Sequence, residues 1–276
     1  MTKISVIIPS FNQGAFLEEA LRSVFNQSYP DVEVLVMDGG STDNSVEIIR
    51  KHAPRITYWQ SRADRGQSDA INQGIRRATG EIVTWLNSDD ILLPGTLSLV
   101  HQAACAHPTT QWFLGHVLWM NRAGEILRVG KVEGESPFWN KRHLFSNGGP
   151  SAFMRRERLL QVGLLREDFH YKMDTELWHR YLSGGDGFVR LPAYCWGLRL
   201  HEAAKMSGHG FPQSALADRN HPSWRQKRWE DAHIRDLYPV SPLWRRIWWL
   251  RRLCGVVAWS RLADRSLLGH SYTALG

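Results

Sequence analysis

Apolar and polar positions along this chain switch repeatedly between two periods. Ile4–Ile8 is a continuous apolar run closed by Pro9-Ser10-Phe11-Asn12-Gln13-Gly14, which reads as a buried strand entering a polar loop. Phe16–Asn26 follows with Leu17, Leu21, Val24 and Phe25 at helical spacing. Val32–Met37 is a second β-branched run, ended by Asp38-Gly39-Gly40-Ser41-Thr42-Asp43. Val46, Ile48 and Ile49 then predict another helix, with Ser41 or Thr42 as its cap. Ile56–Gln60 gives a short third strand, and Asp64-Arg65-Gly66-Gln67-Ser68 leads into a helix bearing Ala70, Ile71, Gly74, Ile75 and Ala78. Ile82–Leu86 is a fourth strand that stops abruptly at Asn87-Ser88-Asp89-Asp90. Strand and helix therefore alternate four times in about a hundred residues, which predicts an α/β protein whose mostly parallel sheet carries helices on both faces.

In such a sheet the turns after the first, second and fourth strands share one edge, so Asp38 and Asp89 can meet one ligand. Two adjacent anions, Asp89 and Asp90, stay charged cheaply only beside a cation, and hard oxygen donors at a strand end suit Mg²⁺ or Mn²⁺ on a diphosphate. A plainer reading also fits: Asp89 or Asp90 would cap the helix that Pro94 opens, and Asp38-Gly39-Gly40 would be an ordinary tight turn. Asp38 as a ligand residue would suit a ribose diol or a base edge. The first strand is not followed by Gly-x-Gly-x-x-Gly, and the chain has no Gly-Lys-Ser/Thr loop, which disfavours a dinucleotide oxidoreductase and a P-loop enzyme.

The second half changes character. Gln111–Met120 and Glu125–Val132, joined by Asn121-Arg122-Ala123-Gly124, read as a hairpin. Phe138–Phe145 reads as a short helix or loop, and Ser146-Asn147-Gly148-Gly149-Pro150 breaks the chain before Ala152-Phe153-Met154. Glu157–Val162 predicts a helical turn, Tyr171–Leu182 a longer helix, and Phe188–Leu191 and Tyr194–Leu200 two strands. Short elements with Gly-rich joins suit an acceptor-binding region beside the first sheet. Further on, Leu243, Ile247, Leu250, Cys254 and Val257 recur at helical spacing among Arg245, Arg246, Arg251, Arg252, Trp244, Trp248 and Trp249. A basic, Trp-rich amphipathic helix of this kind lies in a membrane interface or packs its stripe on the domain, and its four arginines prevent it from spanning.

Composition sharpens this picture in two places. The net charge of +7 is uneven, with 9 Lys/Arg against 12 Asp/Glu in residues 1–110, leaving 25 against 15 beyond. A basic second half admits anionic lipid, phosphorylated substrate or nucleic acid, and the chain carries no nucleic-acid module to favour the last. The three cysteines, Cys105, Cys195 and Cys254, are odd in number and widely spaced, which indicates neither a disulfide framework nor a zinc site. Met1-Thr2-Lys3 runs straight into a strand, so the expected location is the cytoplasm, at the inner face of the cytoplasmic membrane, and Asn26-Gln27-Ser28 is a chance glycosylation match.

These motifs, in this order, resemble the family 2 glycosyltransferases of GT-A fold across residues 3–206. The resemblance implies a Rossmann-like GT-A domain over 1–206, with a nucleotide-sugar half at 1–110, an acceptor half at 111–206 and a basic extension at 207–276. By that resemblance Pro9, Phe11 and Asn12 belong to the first nucleotide loop, and Asp38 to the uridine-binding turn, where Gly39 replaces a second aspartate found in many relatives. Asp64, Gly66, Gln67 and Asp69 lie along the donor. Asn87-Ser88-Asp89 occupies the Asp-x-Asp position, which makes Asp89 the preferred metal ligand and Asp90 a second. Asp174 in Tyr171-Lys172-Met173-Asp174-Thr175-Glu176 becomes the catalytic base, with Glu176 as the neighbouring alternative. Arg199-Leu200-His201, followed by Lys205-Met206-Ser207, resembles the basic segment that closes over the diphosphate, with Arg199 on phosphate and His201 on metal or phosphate.

The implied reaction is a single inverting displacement from a nucleotide-sugar, UDP-linked by preference, onto a lipid-linked or saccharide acceptor. It uses Mg²⁺ or Mn²⁺ and belongs to surface polysaccharide or glycolipid assembly. Two other readings stand beside it. A sugar nucleotidyltransferase would need a basic Gly-rich loop after the first strand, which Pro9–Gly14 lacks. A catalytically silent, membrane-associated partner would keep the fold without turnover.

Overall fold

A computed structural model describes residues 1–132, 151–202, 204–205, 222–259 and 267–275. The predicted helix or loop over 138–145 and the break over 146–150, together with Met206 and Ser207, lie outside the described residues, as do the side chains of 251–259.

The first half follows the predicted alternation closely: β1 (Ile4–Ser10), α1 (Gly14–Phe25), β2 (Val32–Asp38), α2 (Ser45–His52), β3 (Tyr58–Ser61), α3 (Gln67–Arg77) and β4 (Ile82–Trp85). Strand β1 lies between β2 and β4 and is parallel to both, with Ile7 opposite Leu35 and Trp85. Strand β3 extends this parallel set beside β2. Its run begins two residues later than the sequence pattern indicated, because Ala53–Arg55 forms a 3-10 turn that carries Ile56 into the core.

Period-two alternation divides the sheet between two cores. Val6, Ile8, Val34 and Val36 face α1, α2 and α4 (Thr96–Ala106), while Ile7, Leu35, Met37 and Val83 face α3 and the helices of the second half. Helices therefore cover both faces, as predicted.

The second half corrects the expectation of a mostly parallel sheet. After the short β5 (Ile91–Leu92) come β6 (Trp112–Met120), β7 (Ile126–Gly130), β8 (Ala152–Arg155) and β9 (Phe188–Arg199). The strands run in the order β3-β2-β1-β4-β8-β6-β9-β5, with β7 paired to β6. Strand β8 is antiparallel to both β4 and β6, β5 is antiparallel to β9, and β6 with β7 forms the expected hairpin. The sheet is thus mixed: the tight Asn121–Gly124 return makes β7 antiparallel to β6, and β8 and β5 add antiparallel pairs with strands distant in sequence. The two strands expected at 188–200 form one continuous β9, since Pro192 sits at an irregularity where the register against β6 shifts.

Four helices complete the described chain: α5 (Arg156–Val162), α6 (Met173–Ser183), α7 (Pro222–Leu237) and α8 (Pro242–Trp259). Trp178 of α6 stacks on Trp85 of β4 and Trp112 of β6, with ring centroids 6.0 and 5.0 Å apart, so an aromatic core ties α6 to the strand that carries the acid pair. Ile234 of α7 joins that core, and Leu267 and Tyr272 pack on the β5–β7 side.

Candidate functional site at the strand ends

The carboxyl edge begins where Ser10 and Asp38 sit in register. Gly39 N–H donates to Ser10 O at 2.9 Å, which locks the two following turns together. Asp38 is 1% exposed. Its Oδ2 accepts from the Gly40 and Ser41 amides at 3.1 and 2.9 Å and from Ser61 Oγ at 2.6 Å, while Oδ1 takes Ser41 Oγ. The carboxylate is thus spent on organising its own turn, so the plain-turn reading describes its geometry and its oxygens do not face outward. Asn12 adopts the left-handed conformation that asparagine tolerates, at φ 51°. From there it receives Thr42 N–H on Oδ1 at 2.8 Å and gives its own N–H to Ser41 Oγ at 2.8 Å.

What this edge offers outward is Phe11, 61% exposed at the loop tip, beside the half-buried Gly40 and the buried Gly39. Gly39 is closed to a side chain, since a Cβ there would come within 2.8 Å of Asp64 Oδ2. Here Asp64 fills the space that a side chain at position 39 would need. Burial, then the charges of Asp69 and Asp38, raise the Asp64 carboxyl above its ordinary value, with the Gly66 N–H opposing at 2.8 Å. Asp69 points elsewhere, pairing with Arg65 at 3.0 Å and accepting from Gln73.

Strand β4 ends in the acid pair, and its two members part company. Asp90 turns inward, accepting the Arg199 amide on Oδ1 at 2.9 Å and Asn87 Nδ2 on Oδ2 at 2.9 Å. Burial first, and the Asp89 charge second, push its carboxyl far above the usual carboxylate range. Neither acid caps α4, whose N-cap is Gly95. Asp89 instead faces His201, with Oδ2 and Nε2 3.0 Å apart. Arg199 is 2% exposed. Its Nε donates to Asp89 O at 3.0 Å, Nη1 to Arg122 O at 2.8 Å and Nη2 to Glu19 Oε2 at 2.6 Å. The guanidinium expected on a diphosphate therefore holds the main chain of the acid turn. Ser88 is buried in that turn.

A hydrogen-bonded chain crosses to the second half. Gln67 Nε2 donates to Asn87 Oδ1 at 2.6 Å, and Lys205 Nζ donates to Gln67 Oε1 at 2.6 Å and to His170 O at 3.2 Å. Lys205 is exposed as a residue, but its ammonium tip is crowded. Burial lowers its pKa, against the pull of Glu230, Asp89 and Asp174, whose fields converge on it. Asp174 lies in the first turn of α6, half-buried, with Oδ1 accepting the Thr175 amide at 2.6 Å. Glu176 is separated from it by burial and by partners: Arg180 holds it at 2.8 Å and Tyr238 OH at 3.1 Å. The edge thus unites Asp89, His201, Asn87, Gln67 and the Phe11 loop, with Lys205 feeling the charges of both Asp89 and Asp174, and leaves Asp38, Asp69, Asp90, Glu176 and Arg199 in internal roles.

Asp89 and His201 converge as one oxygen and one imidazole donor. This donor set fits Mn²⁺ better than Mg²⁺, which prefers oxygen alone. Among the described residues no cluster of three or more acidic, histidine or cysteine side chains forms, so the remaining positions would fall to diphosphate oxygens and water. Two contributors escaped the sequence reading. Glu19 on α1 anchors Arg199, and Glu230 on α7 supports the loop before Asp174; the i, i+4 step from Glu230 to the buried Ile234 is the one sequence signal that α7 has an inward face.

Parallel strands whose ends gather acids, faced by an acid-bearing helix from an added half, define a Rossmann-like α/β protein with its ligand edge at the strand carboxyl ends. Residues 5–160 match Glycosyl transferase family 2, more than half of the chain, and the protein belongs to that family. A GalNAc(5)-diNAcBac-PP-undecaprenol beta-1,3-glucosyltransferase of Campylobacter jejuni is 40% identical over 108 residues, 38% of this chain and 35% of that one. An uncharacterized glycosyltransferase of Mycobacterium tuberculosis is 27% identical over 259 residues, 84% of this chain and 97% of its own. The first relatives are matched over only 35% and 31% of their lengths. Among solved structures, S. aureus TarS 1-349 in complex with UDP-GlcNAc aligns with a TM-score of 0.57 at 17% identity, covering 76% of this chain and 62% of that one. The mannosyltransferase PcManGT from Pyrobaculum calidifontis, in complex with GDP-Man and Mn²⁺, aligns at 0.56 and 20% identity, covering 83% and 69%. The fold is GT-A.

Proposed function

We propose that the protein is an inverting, divalent-metal-dependent glycosyltransferase that moves a sugar from a nucleotide-sugar, UDP-linked by preference, to a hydroxyl of a lipid-linked or saccharide acceptor. The observation that carries this reading is the meeting of Asp89 and His201 at 3.0 Å on the strand edge, with Lys205, tied to that edge through Gln67, feeling the charges of both Asp89 and Asp174. Phe11 would provide an apolar face for the base, while the half-buried Asp64 offers the carboxylate that Asp38 does not. Asp89 and His201 would hold Mn²⁺ on the donor diphosphate. The chemistry such an ion supplies when bound is charge neutralisation on the leaving group.

Asp174 would take the proton of the attacking hydroxyl, and the hydrogen-bonded chain from Lys205 through Gln67 to Asn87 would keep acceptor and donor edges at a fixed separation. The UDP-GlcNAc-bound and GDP-Man-bound neighbours support a nucleotide-sugar donor of either base, and the Campylobacter jejuni relative supports a lipid-linked acceptor. Membrane contact has its own support. Leu243, Ile247 and Leu250, one face of α8, are 63%, 37% and 63% exposed beside exposed Trp249 and Arg246. No described helix is long and apolar enough to cross a membrane.

The test is calorimetric titration of UDP, GDP and their sugar conjugates with and without Mn²⁺, on wild type and Asp89→Ala. Metal-dependent binding of one nucleotide, lost in the variant, is the expected result. Absence of binding to every nucleotide would overturn the assignment in favour of the silent-partner reading.

A further inference from the structure

Glu230 lies in the middle of α7, beyond the residues matched by the family, and is fully buried at 0% exposure. Its carboxylate takes a run of main-chain donors. Oε1 accepts the His170 amide at 2.8 Å, and Oε2 accepts those of Tyr171 and Lys172 at 2.9 and 2.8 Å. Gln226, one turn earlier on α7, donates Nε2 to Oε1 at 2.9 Å and holds the carboxylate in place.

Those three amides immediately precede α6, whose N-cap residue Lys172 makes no side-chain capping bond of its own. A carboxylate from a distant helix therefore supplies the cap, satisfying amides that would otherwise be orphaned and placing negative charge at the positive end of the helix dipole. Asp174 is the second residue of that helix, so the path of 170–172 sets where its carboxylate stands. The same loop is tied to the donor edge, because the His170 carbonyl receives Lys205 Nζ and Lys205 in turn holds Gln67.

We infer that Glu230 is a positioning residue for the transfer reaction: by holding the amides of His170, Tyr171 and Lys172, it fixes the Asp174 carboxylate against the donor edge. The inference rests on the reading of Asp174 as the base. Glu230 bonds the 170–172 amides and Gln226 rather than the donor edge itself, so its loss should act on the alignment of the proton acceptor more than on donor binding. A small misplacement of a reacting group is enough to cost about a hundredfold in rate.

The experiment compares full-length wild type, Glu230→Ala, Glu230→Gln and Asp174→Asn. Turnover of UDP-GlcNAc and GDP-mannose is followed as nucleotide released, with water as acceptor. Mn²⁺-dependent UDP and GDP affinity, thermal melting and amide hydrogen exchange over 170–172 are measured in parallel. The expected outcome for Glu230→Ala is a kcat about tenfold to a hundredfold lower, donor KM and nucleotide affinity within about twofold of wild type, and faster exchange at 170–172. Glu230→Gln keeps the shape but offers one acceptor oxygen to the three amides, and falls between; if the alanine variant melts non-cooperatively, the glutamine variant carries the comparison. Unchanged kcat in a folded variant, or a kcat loss matched by an equal loss of nucleotide affinity, overturns the inference. Full turnover by Asp174→Asn would sink the base assignment itself, whereas an inactive Asp174→Asn beside fully active Glu230 variants would sink only the positioning role.

Discussion

The role of Arg199 separates two physical accounts of the strand edge, and substitution there decides between them. As a phosphate ligand, its guanidinium would face the donor, and its loss would weaken nucleotide binding without touching stability. The structure buries it and gives three of its donors to Asp89 O, Arg122 O and Glu19 Oε2, at 3.0, 2.8 and 2.6 Å. A net gain of about 1.5–3 kcal/mol per charge-assisted bond sets the upper range, and breaking a buried pair by removing one partner costs about 3–5 kcal/mol. The Glu19 side chain is 37% exposed, so water recovers part of that loss. Arg199→Met should therefore lower unfolding free energy by about 3 kcal/mol. Arg199→Lys, whose point charge replaces only part of the fork, should lower it by about 1–2 kcal/mol.

Urea unfolding followed by tryptophan fluorescence reads both variants. Because the anchored carbonyl belongs to Asp89, Mn²⁺-dependent nucleotide affinity should fall about tenfold as a secondary effect. Wild-type stability in Arg199→Lys combined with a loss of affinity greater than about a hundredfold would refute the anchor and restore the phosphate role.

Two further outcomes follow from other parts of the molecule. His116 is buried, with Nδ1 accepting the Val132 amide at 3.1 Å, and burial first, with the Arg190 and Lys131 charges behind it, lowers its pKa from 6.5 to about 4. The unfolded chain binds the proton between those values and the folded chain does not, so this contribution is complete above pH 6.5 and is lost as pH falls to about 4, at a cost of at most about 3 kcal/mol. A His116→Gln variant should flatten the stability profile in that window, and an unaltered slope would refute it. On α8, replacing Leu243, Trp249 and Leu250 together with serine should abolish co-sedimentation with anionic liposomes while leaving the melting temperature unchanged, since all three side chains face solvent. Equal sedimentation of wild type and variant would remove the membrane reading.

Much of the edge was legible because its signal is periodic. The β-branched runs of β1, β2 and β4 and the polar turns after them place Asp38 and Asp89 on one side of a sheet whatever the details of packing. Side-chain direction was not legible. An aspartate that organises its own turn and one that receives a ribose hydroxyl use the same acceptor oxygens, so the sequence around Asp38 supports both readings until the turn is seen to consume them. The resemblance favoured Asp89 over Asp90 for metal, but what turns Asp90 inward and leaves Asp89 on His201 is the β9 amide of Arg199, 109 residues away, together with Asn87. The mixed second half was hidden for a related reason, since strand direction there depends on return geometry rather than on composition.

The region after residue 206, expected as an extension, reaches the site from both sides. Tyr272 OH donates to Glu19, whose other oxygen holds Arg199, and Arg199 holds the Asp89 carbonyl. Glu125 and Ser271 form a β-bridge that pins this returning segment to the β6–β7 hairpin. On the opposite side Glu230 caps the helix of Asp174. Residues beyond 206 therefore support both the turn that carries the proposed metal carboxylate, through Glu19 and Arg199, and the loop that leads to the proposed base. α7 and the 267–275 segment are engaged with the site, whereas Leu243, Ile247 and Leu250 of the intervening α8 stay turned to solvent, and on that exposed apolar stripe the proposed membrane contact rests.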